Sequence, residues 1–281
     1  MKNLIDAIVN LVTNPKVELV RHYSSVNRAN NMGDALEEYI KDLFAGTAEE
    51  TDETIRNEKI SKVFSYLGNA TNPPDSMLKN GGDAIEVKKL QGVNDLALNS
   101  SHPKRVLRVD NPKINIHCRE CEPWTERDML YVVGICDDNK IKTLSMIYRT
   151  EYCADIDTYS RIETVIKTGL ESLENVELAQ TNELGRLNKI DPLGITNMHI
   201  RGMWTISNPL KVFDYVYRVN NFKSFNFMCL INNEKYAIFN NVHKLEKLVG
   251  SVEGLSIDEV KVKNPNNPSQ LKNCKLIRFE V

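Results

Sequence analysis

The sequence predicts a mixed α/β protein. Three segments place apolar residues at the 3.6-residue period of a helix, and six shorter runs show the apolar pattern of strands. Neither a repeat nor a low-complexity tract interrupts this succession. The chain has 281 residues, of which 41% are hydrophobic and 26% charged, an ordinary globular composition with enough length for a sizeable core. We therefore expect one large α/β domain.

The three helical segments are residues 1–13, 33–45 and 158–173. The first is apolar, but Asp6 interrupts it and Pro15 ends it far short of a membrane span. No small-residue cleavage site of a secretory signal follows it. We interpret it as an amphipathic helix and expect a cytoplasmic protein with no membrane partner.

The strand-like runs are spread along the chain. They are residues 83–90, 128–136, 141–148, 199–206, 227–232 and 236–239. Near the C-terminus, the Asn- and Pro-rich segment KNPNNPSQ, residues 263–270, predicts a loop.

Charge is unevenly distributed along the chain. The formal net charge of -2 argues against a protein that coats nucleic acid non-specifically. Residues 186–224, however, contain six basic and two acidic residues, whereas residues 151–185 contain two basic and eight acidic residues. One surface could therefore face phosphates while another repels them.

The six cysteines predict reduced thiols rather than a metal centre. Only Cys118 and Cys121 lie close together in the sequence, and a structural zinc site would need a second such pair.

The strand at residues 83–90 carries charge on a face that should belong to a core. In the stretch GDAIEVKKL, Ile85 and Val87 share one face, whereas Glu86 and Lys88 share the other. The simplest interpretation is that the charged face meets water. The alternative is an active site, which requires that other groups converge on these two side chains.

A tight hairpin is predicted directly upstream of this strand, because Asn80 and Gly81 both tolerate positive φ. With these two residues as the turn, Asp75 lies directly across from Glu86. If the turn came one residue later, Asp75 would face Lys88. In either register the three side chains share one face, and directly opposed side chains begin about 5 Å apart.

Two carboxylates at that separation repel each other unless a cation lies between them, and two oxygen ligands with open positions suit Mg²⁺. An ammonium beside them can orient a water or stabilise developing charge. An acid two residues before Lys also occurs at Asp138 and at Glu259, but only the pair at residues 86 and 88 follows a Pro-Asp dipeptide. The spacing leaves two interpretations open, a metal site and a solvated hairpin.

The predicted helix at residues 33–45 offers a further acidic group. Its apolar stripe consists of Leu36, Ile40, Leu43 and Phe44. On a helical wheel Glu37 lies beside Phe44, whereas Glu38 points away. Glu37 can therefore turn inward, although a boundary glutamate that reaches water has the same pattern.

Four stretches of the chain closely resemble the NgoPII-like type II restriction endonucleases, members of the PD-(D/E)xK nuclease superfamily. They are RANNMGDALEEYIKDLF, VFSYLGNATNPPD, GDAIEVKKL and LALNSSHPK. Further similarity at YVVGICD, YCADIDTY and IRGMWTISNP extends the resemblance over nearly the whole chain. It is far more specific than the acid-x-Lys signature.

The resemblance implies a restriction-endonuclease-like core, in which helices flank a mixed central β-sheet. Residues 1–281 would form one domain, with the catalytic core at about residues 30–150 and a recognition and dimerisation part at about residues 180–281. Position by position, the metal-binding carboxylates fall on Asp75 and Glu86. The interval between them is short for the superfamily but keeps its order.

The other implied catalytic residues are Lys88, the catalytic lysine, and Glu37, the glutamate of the N-terminal helix. The resemblance further implies a homodimer in the bacterial cytoplasm that cuts both strands of double-stranded DNA with Mg²⁺. The site would be a short palindrome, GGCC, and the products would carry 5′-phosphate and 3′-hydroxyl ends. A cognate DNA methyltransferase would act on the same site without having to bind this protein.

The residues that recognise DNA are harder to identify. After the catalytic strand, six polar residues could contact phosphates or base edges: Asn99, Ser100, Ser101, His102, Lys104 and Arg105. A strand that ends in a polar turn before Pro103 is the alternative. Arg201, on an otherwise apolar predicted strand, could pair with guanine O6 and N7. Its alternative is a structural arginine or one stacked on Trp204.

Two other functions remain open from the sequence. One is a repair or structure-specific nuclease of the same superfamily, for which laddered cleavage products would be evidence. The other is a DNA-binding protein without catalysis, for which specific binding without cutting in any divalent metal would be evidence.

Overall fold

A central mixed sheet of nine strands organises the computed structural model of the chain. The structure describes residues 2–24, 31–69, 72–99, 101–137, 139–181 and 183–281, and every statement that a group is absent refers to these residues. The strands are β1 (Phe64–Tyr66), β2 (Ser76–Leu78), β3 (Ala84–Leu90), β4 (Leu96–Asn99), β5 (Val106–Arg108), β6 (Glu126–Asp137), β7 (Lys140–Tyr148), β8 (Glu177–Leu178), β9 (Gly185–Asn188), β10 (Met198–Ile200), β11 (Trp204–Ile206), β12 (Asn226–Asn232), β13 (Leu255–Asn264) and β14 (Asn267–Glu280).

Helices cover both faces of this sheet. They are α1 (Leu4–Thr13), α2 (Leu19–Ser24), α3 (Met32–Ala45), α4 (Glu53–Val63), α5 (Ile116–Glu120), α6 (Arg149–Tyr152), α7 (Ile156–Glu171), α8 (Pro209–Val212), α9 (Asn233–Ile238) and α10 (Val242–Glu246). No helix within the described ranges is long and apolar enough to span a membrane.

The sheet has the order β1-β2-β3-β6-β7-β12-β14-β13, and β5 pairs with β6 at its margin. The pairs β3–β6 and β7–β12 are parallel, whereas the neighbouring pairs are antiparallel. The prediction of a mixed α/β fold with a mixed central sheet and flanking helices is therefore confirmed. Strands β12 to β14 come from the last quarter of the chain, yet they continue the sheet that contains β3.

Helix α3 packs against β3 and begins and ends at local signals. The Asn31 side chain accepts hydrogen bonds from the first free N–H groups, and Gly46 ends the helix with φ +70°. All four predicted stripe residues of this helix are buried. The helix approaches the sheet closely at Gly134 of β6, where an added Cβ would lie 2.7 Å from Leu36.

Alternation along the strands separates three apolar cores. The largest packs α1, α3 and α4 against one face of the sheet and includes Ile85 of β3. A second core on the opposite face contains Tyr131 and Leu230, and partly buried Leu90 packs against it. A third, smaller core contains Ala84. Ala84, Glu86, Lys88 and Leu90 share one face of β3, so the two charged residues lie between the second and third cores.

Two strand predictions in the C-terminal half are wrong. Residues 199–206 do not form one strand, because β10 pairs with β9 and β11 pairs with β4 in two separate small sheets. Residues 236–239, predicted as a strand, are mostly helical. They belong to α9 and its C-cap, and the Asn232 side chain caps the helix by accepting a hydrogen bond from the Lys235 N–H.

The predicted loop at residues 263–270 is also wrong. This segment is a hairpin in which β13 and β14 pair up to Asn264 and Asn267. Only Pro265 and Asn266 form the turn, which suits the preference of proline for the first central position. None of the six cysteines forms a disulfide, and five of them are buried.

Candidate active site

The predicted hairpin before β3 is present, in the first of the two predicted registers. Asn80 and Gly81 form the turn with φ of 57° and 84°. Ser76 pairs with Ile85, so the next pair outward brings Asp75 across from Glu86. The Asp75 N–H donates to the carbonyl of Ile85 at 3.0 Å and extends the pairing by one residue.

Asp75, Glu86 and Lys88 line the same cleft of about 180 Å³. Asp75 Oδ2 accepts a hydrogen bond of 2.7 Å from the Val87 N–H, which orients the carboxylate along β3. Lys88 Nζ lies 2.6 Å from Glu86 Oε1. The second oxygen, Glu86 Oε2, is buried and has no hydrogen-bond partner among the described residues.

The buried setting of this trio disfavours the charged form of Asp75. Burial and repulsion from Glu86 raise the pKa of Asp75 to about 7, against the opposing effects of the Val87 N–H and of Lys88. No cluster of three or more His, Cys, Asp or Glu side chains suited to a metal occurs in the described ranges. The carboxylates of Asp75 and Glu86, with Glu86 Oε2 unpaired, are instead a set of two ligand residues, which fits a cation that also takes water and phosphate oxygens as ligands.

Gly68 lets the chain pass close to the aspartate. Its φ is +83°, and a Cβ at this position would lie 2.3 Å from the carbonyl oxygen of Asp75. Any larger residue would have to displace the backbone that carries the carboxylate.

Lys104, Tyr131 and Arg149 also line the cleft, and two of these three side chains are not evident from the sequence. Lys104 was predicted to contact DNA, but Tyr131 and Arg149 were not. Tyr131 lies in an apolar strand and carries no signal of function. Arg149 directly follows the apolar strand β7, and a charge at a strand end is the only sequence feature that marks it.

These three side chains are nearly inaccessible to solvent, with exposures of 7% for Lys104, 4% for Arg149 and 0% for Tyr131. The Arg149 guanidinium stacks on the Tyr131 ring at 3.4 Å from its centroid and donates through Nη1 to the Lys104 carbonyl at 3.0 Å. Burial and the nearby Arg149 charge lower the pKa of Lys104 to about 8. The cleft thus contains a carboxyl group with a raised pKa, that of Asp75, and an ammonium group with a lowered pKa, that of Lys104.

Comparisons with known proteins agree with a nuclease site. The family model described as NgoPII restriction endonuclease matches residues 2–263. The chain is also 51% identical to the type II restriction enzyme NgoPII of Neisseria gonorrhoeae, over 99% of this chain and 100% of that protein. The chain belongs to the NgoPII restriction endonuclease family. As a member of this family it is a type II restriction endonuclease, a DNA-binding, site-specific deoxyribonuclease. No solved structure matches it significantly.

The predicted helix glutamate of this restriction endonuclease, Glu37, does not line the cleft but interacts electrostatically with Asp75 and Lys88. Glu37 is exposed on α3, and partial burial of its carboxylate raises its pKa while the nearby Lys41 and Lys88 lower it. The neighbouring Glu38 instead forms ion pairs with Lys41 and Arg56. Of the two glutamates, Glu37 is therefore the one within electrostatic range of Lys88.

The polar segment after β4 is divided between the cleft and the surface. Ser101, His102 and Lys104 line the cleft. The His102 ring stacks on Tyr159, and its Nδ1 lies 3.2 Å from Glu163. Arg105 forms an ion pair with Asp155 at the surface. Ser100 and the side chain of Asn99 lie outside the described residues.

Arg201 occupies a different environment from the one the sequence suggested. It lies between β10 and β11, its side chain is 69% exposed, and it pairs with Glu183, which also contacts His199 at 2.7 Å. The expectation of a guanidinium among core residues is wrong, because this segment is at the surface and Met203 is 75% exposed. Arg201 does not line the cleft but a neighbouring hollow that also contains Glu163.

Proposed function

We propose that this restriction endonuclease cuts both strands of double-stranded DNA with Mg²⁺ at a short palindrome, giving 5′-phosphate and 3′-hydroxyl ends. Asp75 and Glu86 hold the metal, Lys88 is the catalytic lysine, and Glu37 assists from α3. The observation that carries this proposal is the buried, unpartnered Glu86 Oε2 beside a second carboxylate whose pKa is raised. Family membership suggests a divalent metal, and the all-oxygen donor set favours Mg²⁺.

The protein's own groups account for most of the proposed chemistry. The Val87 N–H orients Asp75, and Lys88 Nζ donates to Glu86 at 2.6 Å. The Lys88 ammonium is therefore fixed in the cleft that contains both carboxylates. Lys88 orients the attacking water and stabilises charge on the phosphate oxygens. A new P–O bond forms to this water while the P–O3′ bond breaks, and the 3′ oxygen takes up a proton. When bound, Mg²⁺ supplies Lewis-acid polarisation of the phosphate.

We further propose GGCC as the recognition sequence, which the family resemblance implies. Arg201 and the segment from Asn99 to Arg105 are the proposed DNA contacts. Arg201 is exposed and lines a hollow that also contains Glu163, and Glu163 lies 3.2 Å from the cleft residue His102, which supports Arg201 as a DNA contact near the cleft. The family resemblance implies that DNA recognition and dimerisation belong to about residues 180–281. Within this range, we assign DNA recognition to the part that ends with β11.

A homodimer is proposed because a palindrome read by two equal subunits requires two-fold symmetry and each monomer has one cleft. Helix α7 offers a surface for a second copy, since none of its residues is buried, and Val165 and Ile156 are 72% and 57% exposed. The acidic segment that contains α7 would repel DNA, which favours protein as its partner.

The dimer has a direct measurement. Sedimentation at micromolar protein should give twice the chain mass of 32.1 kDa, and Val165→Asp should shift the protein toward the monomer without lowering its melting temperature. A wild-type monomer that cuts both strands in one binding event would contradict the dimer. A dimer unaffected by Val165→Asp would place its interface elsewhere.

Digestion of one plasmid of known sequence with Mg²⁺ tests the reaction. We expect discrete fragments whose ends map to GGCC, and no cutting in EDTA. Asp75→Ala should abolish cutting while retaining specific DNA binding, and Lys88→Ala should slow cutting by several orders of magnitude. Lys62→Met, which alters an exposed lysine on α4, is the matched control. Near wild-type cutting by Asp75→Ala would contradict the assigned site.

A further inference from the structure

Lys104, Arg149 and Tyr131 form a second polar group in the cleft, here called the basic wall. It is separate from the proposed catalytic residues but lines the same space as Asp75 and Glu86. Glu86 and Tyr131 are direct neighbours on the parallel strands β3 and β6, so their side chains lie on the same face. The basic wall therefore begins next to a proposed metal ligand.

Two polar atoms of the basic wall have no partner. Arg149 Nε and the Tyr131 hydroxyl are buried without a hydrogen bond among the described residues. Lys104 lines the same cleft and is only 7% exposed. Buried polar groups are normally paired, because each unpaired group costs free energy. Two such groups in one cleft, beside a nearly buried ammonium, indicate that a ligand supplies their partners.

The geometry selects an anion with several oxygens. The positive charges of Lys104 and Arg149 repel each other. Arg149 is nevertheless held in place by the Tyr131 ring and by the Lys104 carbonyl. Arg149 Nε, the Tyr131 hydroxyl and the Lys104 ammonium can all donate hydrogen bonds, and the arginine and lysine add positive charge. A phosphodiester presents two non-bridging oxygens that share one negative charge, so it can accept from these donors.

We propose that the basic wall binds the non-bridging oxygens of the phosphodiester that is cut, and so positions it beside Asp75, Glu86 and Lys88. This inference rests on the proposed function and adds a positioning role that the catalytic motif does not contain. Lys104 and Arg149 bind the phosphate before cutting, and Tyr131 orients Arg149 and donates from its hydroxyl.

The test compares two DNA duplexes in EDTA, where metal-dependent cutting is blocked. One is the cognate duplex identified by plasmid digestion, and the other carries a neutral methylphosphonate at the scissile position. Lys104→Met should weaken binding to the first duplex about 10- to 100-fold, the range expected for a charge-assisted hydrogen bond. It should cause no further loss on the second duplex. Lys62→Met should leave both affinities unchanged.

Melting temperatures separate this role from a structural one. Lys104→Met removes a nearly buried charge and Tyr131→Phe removes an unpaired buried hydroxyl, so each should maintain or raise the melting temperature of the DNA-free protein. A lowered melting temperature with unchanged DNA binding would overturn the proposal. Equal weakening on both duplexes would also overturn it, because Lys104 would then contact a different phosphate.

The controls keep this proposal distinct from the catalytic assignment. If Asp75→Ala still cuts, the proposed catalytic site fails whatever Lys104 does. If Asp75→Ala is inactive and Lys104→Met binds both duplexes like wild type, only the phosphate subsite fails.

Discussion

Two buried ionic clusters begin on the same hairpin and differ in how completely their polar groups are paired. The Lys235 cluster consists of Asp83, Asp128, Tyr148 and Lys235. Lys235 Nζ lies 2.9 Å from Asp83 and 2.6 Å from Asp128, and the Tyr148 hydroxyl donates to Asp83 at 2.6 Å. Burial lowers the pKa of Lys235, but the two carboxylates outweigh it and the net pKa is raised. Both Asp83 oxygens are therefore satisfied within the protein.

The cleft cluster consists of Asp75, Glu86, Lys88 and the basic wall. Three of its buried polar atoms have no hydrogen-bond partner in the described ranges: Glu86 Oε2, Arg149 Nε and the Tyr131 hydroxyl. Asp83 and Glu86 are only three residues apart, so the alternation of β3 sends them to opposite faces. The comparison shows that the pairing of polar groups within the protein, rather than burial or charge, distinguishes a structural cluster from a ligand-binding site.

The largest expected difference between the clusters is in DNA cutting. Glu86→Gln should slow cutting by about 10³-fold or more, because loss of the proposed metal ligand would remove several kcal/mol of transition-state stabilisation. Its melting temperature should not fall, since the substitution removes a buried charge that has one free oxygen. Single-turnover cutting and thermal unfolding measure the two quantities. A large loss of stability would mean that Glu86 belongs to a structural cluster.

Lys235→Met should show the opposite behaviour. Removing the ammonium leaves Asp83 buried without its cation, and the free energy of unfolding should fall by about 3–5 kcal/mol. Cutting by the remaining folded enzyme should stay near the wild-type rate at a temperature well below unfolding. Urea denaturation gives the free energy, with Lys62→Met as the exposed control, for which less than about 1 kcal/mol is expected. Unchanged stability would remove the distinction between the clusters.

Asp75 provides a smaller, pH-dependent test. Its pKa is raised in the metal-free fold to about 7, so the folded state binds this proton more tightly than the unfolded chain does. The stability contributed by this proton is complete below about pH 4 and is lost as the pH rises toward 7. Asp75→Asn should therefore stabilise the metal-free protein at pH 8 but not at pH 4. Urea denaturation in EDTA at both pH values measures this, and an equal effect at both would contradict the raised pKa.

Arg201→Ala should have the smallest effect on the fold and a selective effect on binding. Because the exposed pair with Glu183 contributes little, the free energy of unfolding should change by less than about 1 kcal/mol. Cognate binding should weaken by about 1–3 kcal/mol and binding to an unrelated duplex should barely change, if the arginine reads guanine. Equal weakening on both duplexes, with a shallower salt dependence, would indicate a phosphate contact instead.

The carboxylate pair could be predicted from sequence because it depends on local rules. Asn80 and Gly81 favour a two-residue turn, the turn determines the register, and strand alternation brings Asp75, Glu86 and Lys88 to one face. The apolar stripe of α3 follows from helical periodicity in the same way. None of these steps needs information from distant parts of the chain.

The elements that were predicted wrongly depend on helix capping or on strand partners elsewhere in the chain. The residues 236–239 are apolar enough for a strand, but the cap at Asn232 starts a helix there. Residues 199–206 form two strands because β4 and β9 each pair with part of the run. Short apolar runs do not distinguish these outcomes, since the pairing partners decide them.

The sequence by itself determined the hairpin and placed Asp75, Glu86 and Lys88 on one face, because these residues lie within 14 positions of one another and obey backbone geometry, whereas the structure decided between the two possible registers. Only the tertiary structure decided that Tyr131 and Arg149 join Lys104 in the cleft, and that Asp83 finds Lys235 more than 150 residues away. These contacts depend on the order of the strands in the sheet and on which side chains the packing buries away from solvent. A polar residue becomes structural or functional according to the partners that the fold brings to it.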